Sequence, residues 1–247
     1  MSFPLTKSHF LAGLQCPKRL WLAVCKPEYA CLNSRTQQRE QAENQNFRAI
    51  AQRSFQGIAI SGDLRSALDQ TQRLLEQGQS CLFEAAFIFD DIFLRAHILQ
   101  RRQDQSWRLL EAKPTAEIRE EYLADLALQS YVLNGAGIEV AEIGLMLSDP
   151  KIGAGESPET LRFRPTDVTQ SVQIWQNQIP DYLSQFRQFL TQPEPPPAPM
   201  GNHCDFPHLC PFKTHCQGDG INLVVNNNSA DFSSSLQEAI TSDGAQR

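Results

Sequence analysis

Glu111 and Lys113 stand two residues apart at the end of the run WRLLEAK, directly before Pro114. On a strand, that spacing points both side chains to one face. A carboxylate there can hold a divalent cation. An ammonium beside it can orient water and offset charge developing on a phosphate, which is the chemistry of metal-assisted phosphodiester cleavage. Solvated strands also alternate Glu with Lys, so the tripeptide alone does not select that chemistry. The second reactive group is four cysteines: Cys16 in LQCPKRLW, and Cys204, Cys210 and Cys216 in CDFPHLCPFKTHC, with five residues between successive members of the trio. Pro17 and Pro211 follow two of them and fix the backbone just past the thiol,. A metal-sized knot between the two chain ends would account for this distribution.

Spacing alone leaves the metal open. Structural zinc sites favour close C-x₂₋₄-C pairs, shorter than any gap here, although His203, His208 and His215 lie among the cysteines and could each supply an imidazole,. Iron–sulfur sites tolerate a remote fourth cysteine and a Cys-Pro step, yet this spacing follows neither common ferredoxin pattern. Cys25, Cys31 and Cys81 read as small buried hydrophobes,.

The elements that must position these groups are legible as changes of period. Thr6 or Ser8 is expected to cap a helix carrying Phe10, Leu11 and Leu14, with a further helix after Pro17,. The polar stretch 33–53 has helical propensity. Another helix is predicted over 63–77, with Leu64, Leu68, Leu74 and Leu75 inward,. From Cys81 the period becomes two, with Phe83, Ala85, Phe87 and Phe89 alternating with Glu84, Ala86 and Ile88,. Turns at 90–91 and 103–106 separate this strand from strands over 92–101 and 107–113. A helix over 116–134, capped by Thr115, a strand over 138–147, a loop at 153–159 and one helix over 167–190 follow,. Residues 193–199 form a stiff proline-rich linker to the cysteine segment,. Strands, hairpin and helices in this order predict an α/β or α+β sheet with helices covering a face.

A chain of 247 residues has ample length for a buried core, and its net charge of −6 argues against a basic surface all over while permitting a local basic groove,. No apolar run approaches the ~20 residues that span a bilayer. The opening MSFPLTKSHF lacks a signal-peptide layout, so a cytoplasmic location with reduced thiols is expected,.

Taken in order, LTKSHFLAGLQCPKRLWL, FEAAF, FLRAHIL, WRLLEAK and DLALQSYVLNGAGIEV resemble the RecB-like branch of the PD-(D/E)xK nucleases, in particular the CRISPR-associated RecB-like exonucleases, whose last motif is a C-terminal cysteine cluster. The resemblance runs from Leu5 to Cys216. It implies an α/β fold of restriction-endonuclease type, a mixed central sheet flanked by helices, with an iron–sulfur subdomain joining the chain ends inside a domain over 1–217. The segment 218–247 is too poor in apolar residues to pack and is expected to be a disordered tail,. The resemblance also implies a [4Fe–4S] cluster on Cys16, Cys204, Cys210 and Cys216, and Mg²⁺- or Mn²⁺-dependent cleavage of DNA, single-stranded or from an end. Glu111 then matches the metal-binding carboxylate, Lys113 the motif lysine, Glu84 an acidic position on the preceding strand, and Gln129 the glutamine that helps hold the substrate strand.

Two positions depart from that pattern. His97 stands where the family usually has aspartate, in RAHIL, and would occupy a cation-ligand position. Leu133 stands where the family has tyrosine, with Tyr131 an imperfect stand-in. Imidazole suits softer metals than Mg²⁺, and losing a carboxylate removes charge that attracts a dication. The site therefore either works weakly with a leaning toward Mn²⁺, or survives as a non-catalytic DNA-binding scaffold; a zinc-stabilised interaction module is the third reading. Lys7, Lys18, Arg19, Arg48, Arg53, Arg95, Arg101 and Arg102 are candidates to hold phosphates, and Phe10, Trp21 and Phe212 to stack on bases,.

Overall fold

The computed structural model describes residues 4–31, 35–148 and 163–218. The chain enters through a short strand, β1 (Leu5–Thr6), and turns at once into helix α1 (Lys7–Gln15). The turn is a reciprocal cap. The Thr6 hydroxyl accepts from the His9 N–H at 3.4 Å, and His9 Nδ1 accepts from the Thr6 N–H at 3.2 Å,. Cys16 is extended, as suits a residue before proline, and Pro17 takes the first position of α2 (Pro17–Cys25), where its missing N–H is no loss,. Next come α3 (Arg35–Gln52), β2 (Ile58–Ala59) and α4 (Leu64–Glu76), the last capped by Asp63, whose carboxylate accepts from the Ser66 N–H at 2.9 Å,.

Three antiparallel strands follow, β3 (Cys81–Phe89), β4 (Ile92–Arg101) and β5 (Trp107–Lys113). Helix α5 (Glu120–Gly135) crosses over to β6 (Val140–Ser148), which lies parallel to β5, and β7 (Phe163–Asp167) is antiparallel on the outer edge. Helices α6 (Thr169–Gln176), α7 (Ile179–Leu190) and α8 (Lys213–Gly218) complete the described chain. Among the described residues the sheet has seven strands, ordered β2-β3-β4-β5-β6-β7, with β1 beside β4. This is a mixed α/β fold: a mixed sheet flanked by helices. The larger apolar cluster joins one sheet face to α1, α4, α5, α6 and α7. A smaller one sets Phe47 and Ala51 of α3 against Phe83, Ile98, Leu110 and Ala112 on the other face.

β4 pairs with β5 only from Ile98 opposite Leu110 to Arg101 opposite Trp107, whereas Ile92 and Phe93 at its start pair with β1. β5 runs on to Lys113 against β6. The sheet therefore forks past Leu110, and Glu111–Lys113 line the fork.

Several sequence expectations change here. The alternation in β3 breaks at Glu84: Phe83 faces the smaller cluster, while Ala85 and Phe87 both face the larger one. Glu84 itself has φ +55°, a left-handed conformation that a non-glycine residue holds only when its surroundings impose it,. Helix α5 starts at Glu120 rather than at residue 116. The Thr115 carbonyl accepts from the Ser148 N–H at 3.0 Å and its hydroxyl caps only Glu117 at 3.2 Å, which ties that stretch to the end of β6. The helix expected over 167–190 is two helices behind a strand, broken ahead of Pro180, which cannot donate within a helix,. In α4, Ala67 and Thr71 are buried while Leu64 is exposed. Cys81 is buried as expected, but Cys25 and Cys31 are exposed. The loop at 153–159 and the tail from 219 onward lie outside the described residues. Among the described residues no helix is long and apolar enough to cross a membrane.

Candidate functional site

Glu111 sits at the fork with no solvent exposure. Burial alone would favour its neutral form, but Lys7, Arg48 and Lys113 outweigh that and hold its carboxyl far below the ordinary carboxylate range,. The contacts are direct. Arg48 Nη1 donates to Glu111 Oε1, Lys113 Nζ lies 3.7 Å from the same oxygen, and Lys7 Nζ lies 3.7 Å from Oε2. Asp125, from α5, is the second buried carboxylate. Its Oδ2 lies 3.1 Å from Lys7 Nζ and 3.2 Å from Lys113 Nζ. Gln129, one helical turn on, donates through Nε2 to Asp125 Oδ1 at 2.7 Å and to Glu111 Oε2 at 3.3 Å. Glu84 closes the group from β3, accepting from Arg48 Nη2 at 2.8 Å and from Gln52 at 3.4 Å.

Three carboxylates (Glu84, Glu111, Asp125) thus face three cations (Lys7, Arg48, Lys113), and the set is neutral. Burial works against the charge on Lys113, but Asp125 and Glu111 prevail and raise its pKa, so Lys113 stays an ammonium,. Arg48 is likewise held charged: desolvation opposes it, Glu111 and Glu84 overcome it.

His97 occupies the gap between the forked strands. The flanking pairs Phe83–Ile98 and Ile98–Leu110 put Glu84, His97 and Glu111 in one row across β3, β4 and β5. Its Nδ1 accepts from the Ala112 N–H at 3.2 Å, so Nε2 carries the proton and donates to the Arg48 carbonyl at 3.2 Å,. Burial lowers its pKa to about 4, which keeps the ring neutral. With both nitrogens engaged by backbone, His97 has no lone pair for a cation, which corrects its expected place among the metal ligands.

The donor chemistry nevertheless suits a hard divalent cation without it. Gln129 Oε1 is buried and finds no hydrogen-bond partner among the described residues, although its amide lies against both buried carboxylates. A buried acceptor without a donor marks a place where a cation or its water would be welcome. Mg²⁺ commonly takes only one or two protein carboxylates and completes its shell with waters and phosphate oxygens. Glu111 and Asp125 meet that requirement.

Asp125 was not among the residues the sequence singled out, and Lys7, expected on phosphate, instead meets the buried carboxylates. Asp125 was signalled by its spacing of four from Gln129 on a helix. Lys7 was visible as a cation in the first turn of a helix that has no acidic residue there, a position the helix dipole disfavours,. Other predicted contacts go elsewhere. Tyr131 donates to Asp90 at 3.0 Å instead of entering the site. Arg95 holds the Ile60 and Gly62 carbonyls, Arg101 lies over the Trp107 ring at 4.9 Å, Arg102 faces Glu142 at 3.7 Å, and Arg53 is exposed. Phe10, Trp21 and Phe212 are buried, so none is offered for base stacking.

The cysteine segment docks on the junction of α1 and α2. Gln15 Nε2 donates to the His203 and His208 carbonyls at 2.5 and 2.7 Å, Trp21 Nε1 donates to the Gln192 carbonyl at 3.0 Å, and the Cys31 N–H donates to the Pro211 carbonyl at 2.8 Å. Trp21, Leu22, Cys210 and Phe212 form an apolar cluster with Cys216 against it. Cys204 and Cys210 are buried; Cys16 and Cys216 are partly so. Burial pushes up the Cys16 and Cys210 thiols, and Cys204 adds to both. Arg19 lies among them, its own pKa lowered by burial and supported by Cys210 and Cys16. The thiols are therefore neighbours, but among the described residues no group of three or more His, Cys, Asp or Glu side chains is gathered as a metal site. An iron–sulfur subdomain is not displayed. Compared with known proteins, the chain matches no family model and no curated protein.

Proposed function

We propose that the chain is a RecB-like nuclease of the PD-(D/E)xK type that hydrolyses DNA phosphodiesters at the fork with Mg²⁺ or Mn²⁺. The observation that carries this reading is Glu111: a fully buried, ionised carboxylate beside Asp125, Lys113 and the unpartnered Gln129 carbonyl. Such a group is expensive to keep in a core, and strongly perturbed carboxylates concentrate at functional sites. Glu111 and Asp125 are the residues to hold the cation, with Glu84 in reach through the group it shares with Arg48. A bound cation would polarise the phosphate and favour ionisation of water. Lys113 remains protonated, so it donates: it orients water and stabilises charge on the phosphate rather than removing a proton,. Gln129 fixes the two carboxylates relative to each other.

The same reading assigns Cys16, Cys204, Cys210 and Cys216 to a structural [4Fe–4S] cluster, supported by Cys210 and Cys216 at one apolar cluster and by Arg19 beside Cys16 and Cys210,. A reducing cytoplasm suits those free thiols. A second reading, a non-catalytic DNA-binding scaffold, is favoured by one observation: Lys7, Arg48 and Lys113 already neutralise the three carboxylates.

Cleavage of end-labelled single- and double-stranded DNA, with Mg²⁺ and with Mn²⁺, separates the two. Metal-dependent shortening that Lys113→Ala abolishes supports the nuclease. DNA binding by anisotropy without cleavage in either metal supports the scaffold. Anaerobically purified protein should be brown and contain iron and sulfide; colourless protein with stoichiometric zinc would overturn the cluster.

A further inference from the structure

The proposed reaction gives no task to His97 or Arg48, although together they fill the fork. His97 spans it as a wedge, accepting from Ala112 on β5 and donating to the main-chain carbonyl of Arg48 on α3. That contact pins α3 at residue 48, and the adjacent Phe47 and Ala51 bury against the sheet on the same helix. The guanidinium is thereby aimed: Nη2 reaches Glu84 on β3 at 2.8 Å, and Nη1 reaches Glu111 on β5. One planar cation thus bridges two carboxylates from strands that have separated, with both its forked donors used. An aspartate at position 97 could accept from Ala112 but could not donate to the Arg48 carbonyl. The histidine and the bridging arginine belong together.

We propose that Arg48, positioned by His97, is the resident counter-cation of the fork, and that a divalent cation reaches Glu84 and Glu111 by exchanging with its guanidinium. The inference rests on reading the fork as a cation site. With Arg48 engaged, the three carboxylates and three cations sum to zero, and an arriving dication meets no net attraction. With the guanidinium withdrawn, the set carries one negative charge, and the freed guanidinium, one-quarter exposed, can turn to a phosphate,. Phosphate and metal would then enter together, each drawing one partner off the carboxylates.

Mn²⁺ binding, followed on the full chain by loss of the free-ion electron paramagnetic resonance signal, tests this without any need for cleavage. Arg48→Gln should tighten Mn²⁺ binding by about tenfold or more, because a close opposing charge is gone. Arg48→Lys keeps the charge without the fork and should give a smaller gain. His97→Ala should also tighten binding, whereas His97→Gln, whose amide can accept from Ala112 and donate to Arg48, should restore the wild-type value. Unchanged or weaker Mn²⁺ binding in folded Arg48→Gln overturns the proposal. Should that variant fail to fold, Arg48→Lys decides, and binding equal to wild type overturns it. Equal Mn²⁺ binding by wild type and variants, with cleavage intact, removes this inference and leaves the nuclease standing. Binding gained only on Arg48 substitution, with no cleavage by wild type, does the reverse.

Discussion

Helix α1 has the fork at its first residue and the cysteine region just past its last. At the fork, Lys7 joins carboxylates and cations that satisfy one another almost completely, leaving one carbonyl oxygen, that of Gln129, over. At the other end, Cys16 and Cys210 sense the charge of Cys204, and main-chain groups of Arg19 and Phe212 hydrogen-bond their thiols. The fork is closed by the protein's own charges, and any ligand must displace something. The cysteine region is closed by apolar packing of Trp21, Leu22, Cys210 and Phe212 and by hydrogen bonds from the Gln15 and Trp21 side chains to main-chain carbonyls. One region is therefore held by charge, and the other by apolar packing.

The sharpest way to break this contrast is to remove the central charge. Glu111→Gln leaves Lys7, Arg48 and Lys113 with one carboxylate fewer in a buried place, so stability should fall by about 3–5 kcal/mol and cleavage by about 100-fold or more,. Cys210→Ser should lose less, about 1–2 kcal/mol, the cost of placing a hydroxyl in the apolar cluster that holds the thiol,. Urea unfolding of both variants makes the comparison; equal losses would dissolve it.

Acid sharpens the same contrast. His97 titrates at about 4 in the fold instead of its ordinary 6.5, so below pH 6.5 the unfolded chain takes up a proton that the folded chain refuses. Stability is thus full above pH 6.5 and declines toward pH 4, by roughly 3 kcal/mol at most,. Glu111, depressed far below its ordinary 4.5, adds its own loss once the pH falls below about 4.5,. Unfolding free energies measured from pH 7 to 4 should slope downward in wild type and flatten in His97→Gln. A slope that survives the substitution would assign it to other groups.

How much of this was legible follows physical lines. The strands 92–101 and 107–113 match the structure residue for residue, because Asp90-Asp91 and the polar turn 103–106 bound them sharply and each is apolar enough to bury. Glu111 and Lys113 share a face as their spacing requires, and Gln129 meets Glu111. What stayed hidden depends on pairing between distant segments. β1 and β2 are two residues each and carry no period. The fork arises because β1 takes the half of β4 that β5 leaves, which no local pattern records. The partners of the His97 ring follow from that fork. Lys7 and Asp125 were visible residues whose meeting is tertiary.

Because α1 carries both regions, its seat should affect both. A Cβ on Gly13 would lie 2.6 Å from Cζ of Phe186, so α1 packs on α7 closer than alanine permits. Gly13→Ala should destabilise by about 1–3 kcal/mol through overpacking and tilt α1 as a unit. DNA cleavage should weaken and Cys16 should react faster with a thiol reagent. A change in only one of the two readouts would mean the ends of α1 move independently.

The smallest effect isolates the fork. Thr6→Ala removes the hydroxyl that accepts from the His9 N–H, a long bond at 3.4 Å, so the loss belongs at the low end for such caps, about 0.5–1 kcal/mol,. Lys7 follows Thr6 directly, and its direction is set by where the helix begins. The cap loosened, Lys7 should hold Asp125 less firmly, while Cys16, at the far end of nine helical residues, keeps its surroundings. Mn²⁺ binding should tighten slightly, by about twofold, as one opposing ammonium becomes mobile, and thiol reactivity of Cys16 should stay at the wild-type rate. Faster Cys16 modification in Thr6→Ala would show that the start of the helix governs its far end, and the two regions would then be one site rather than two.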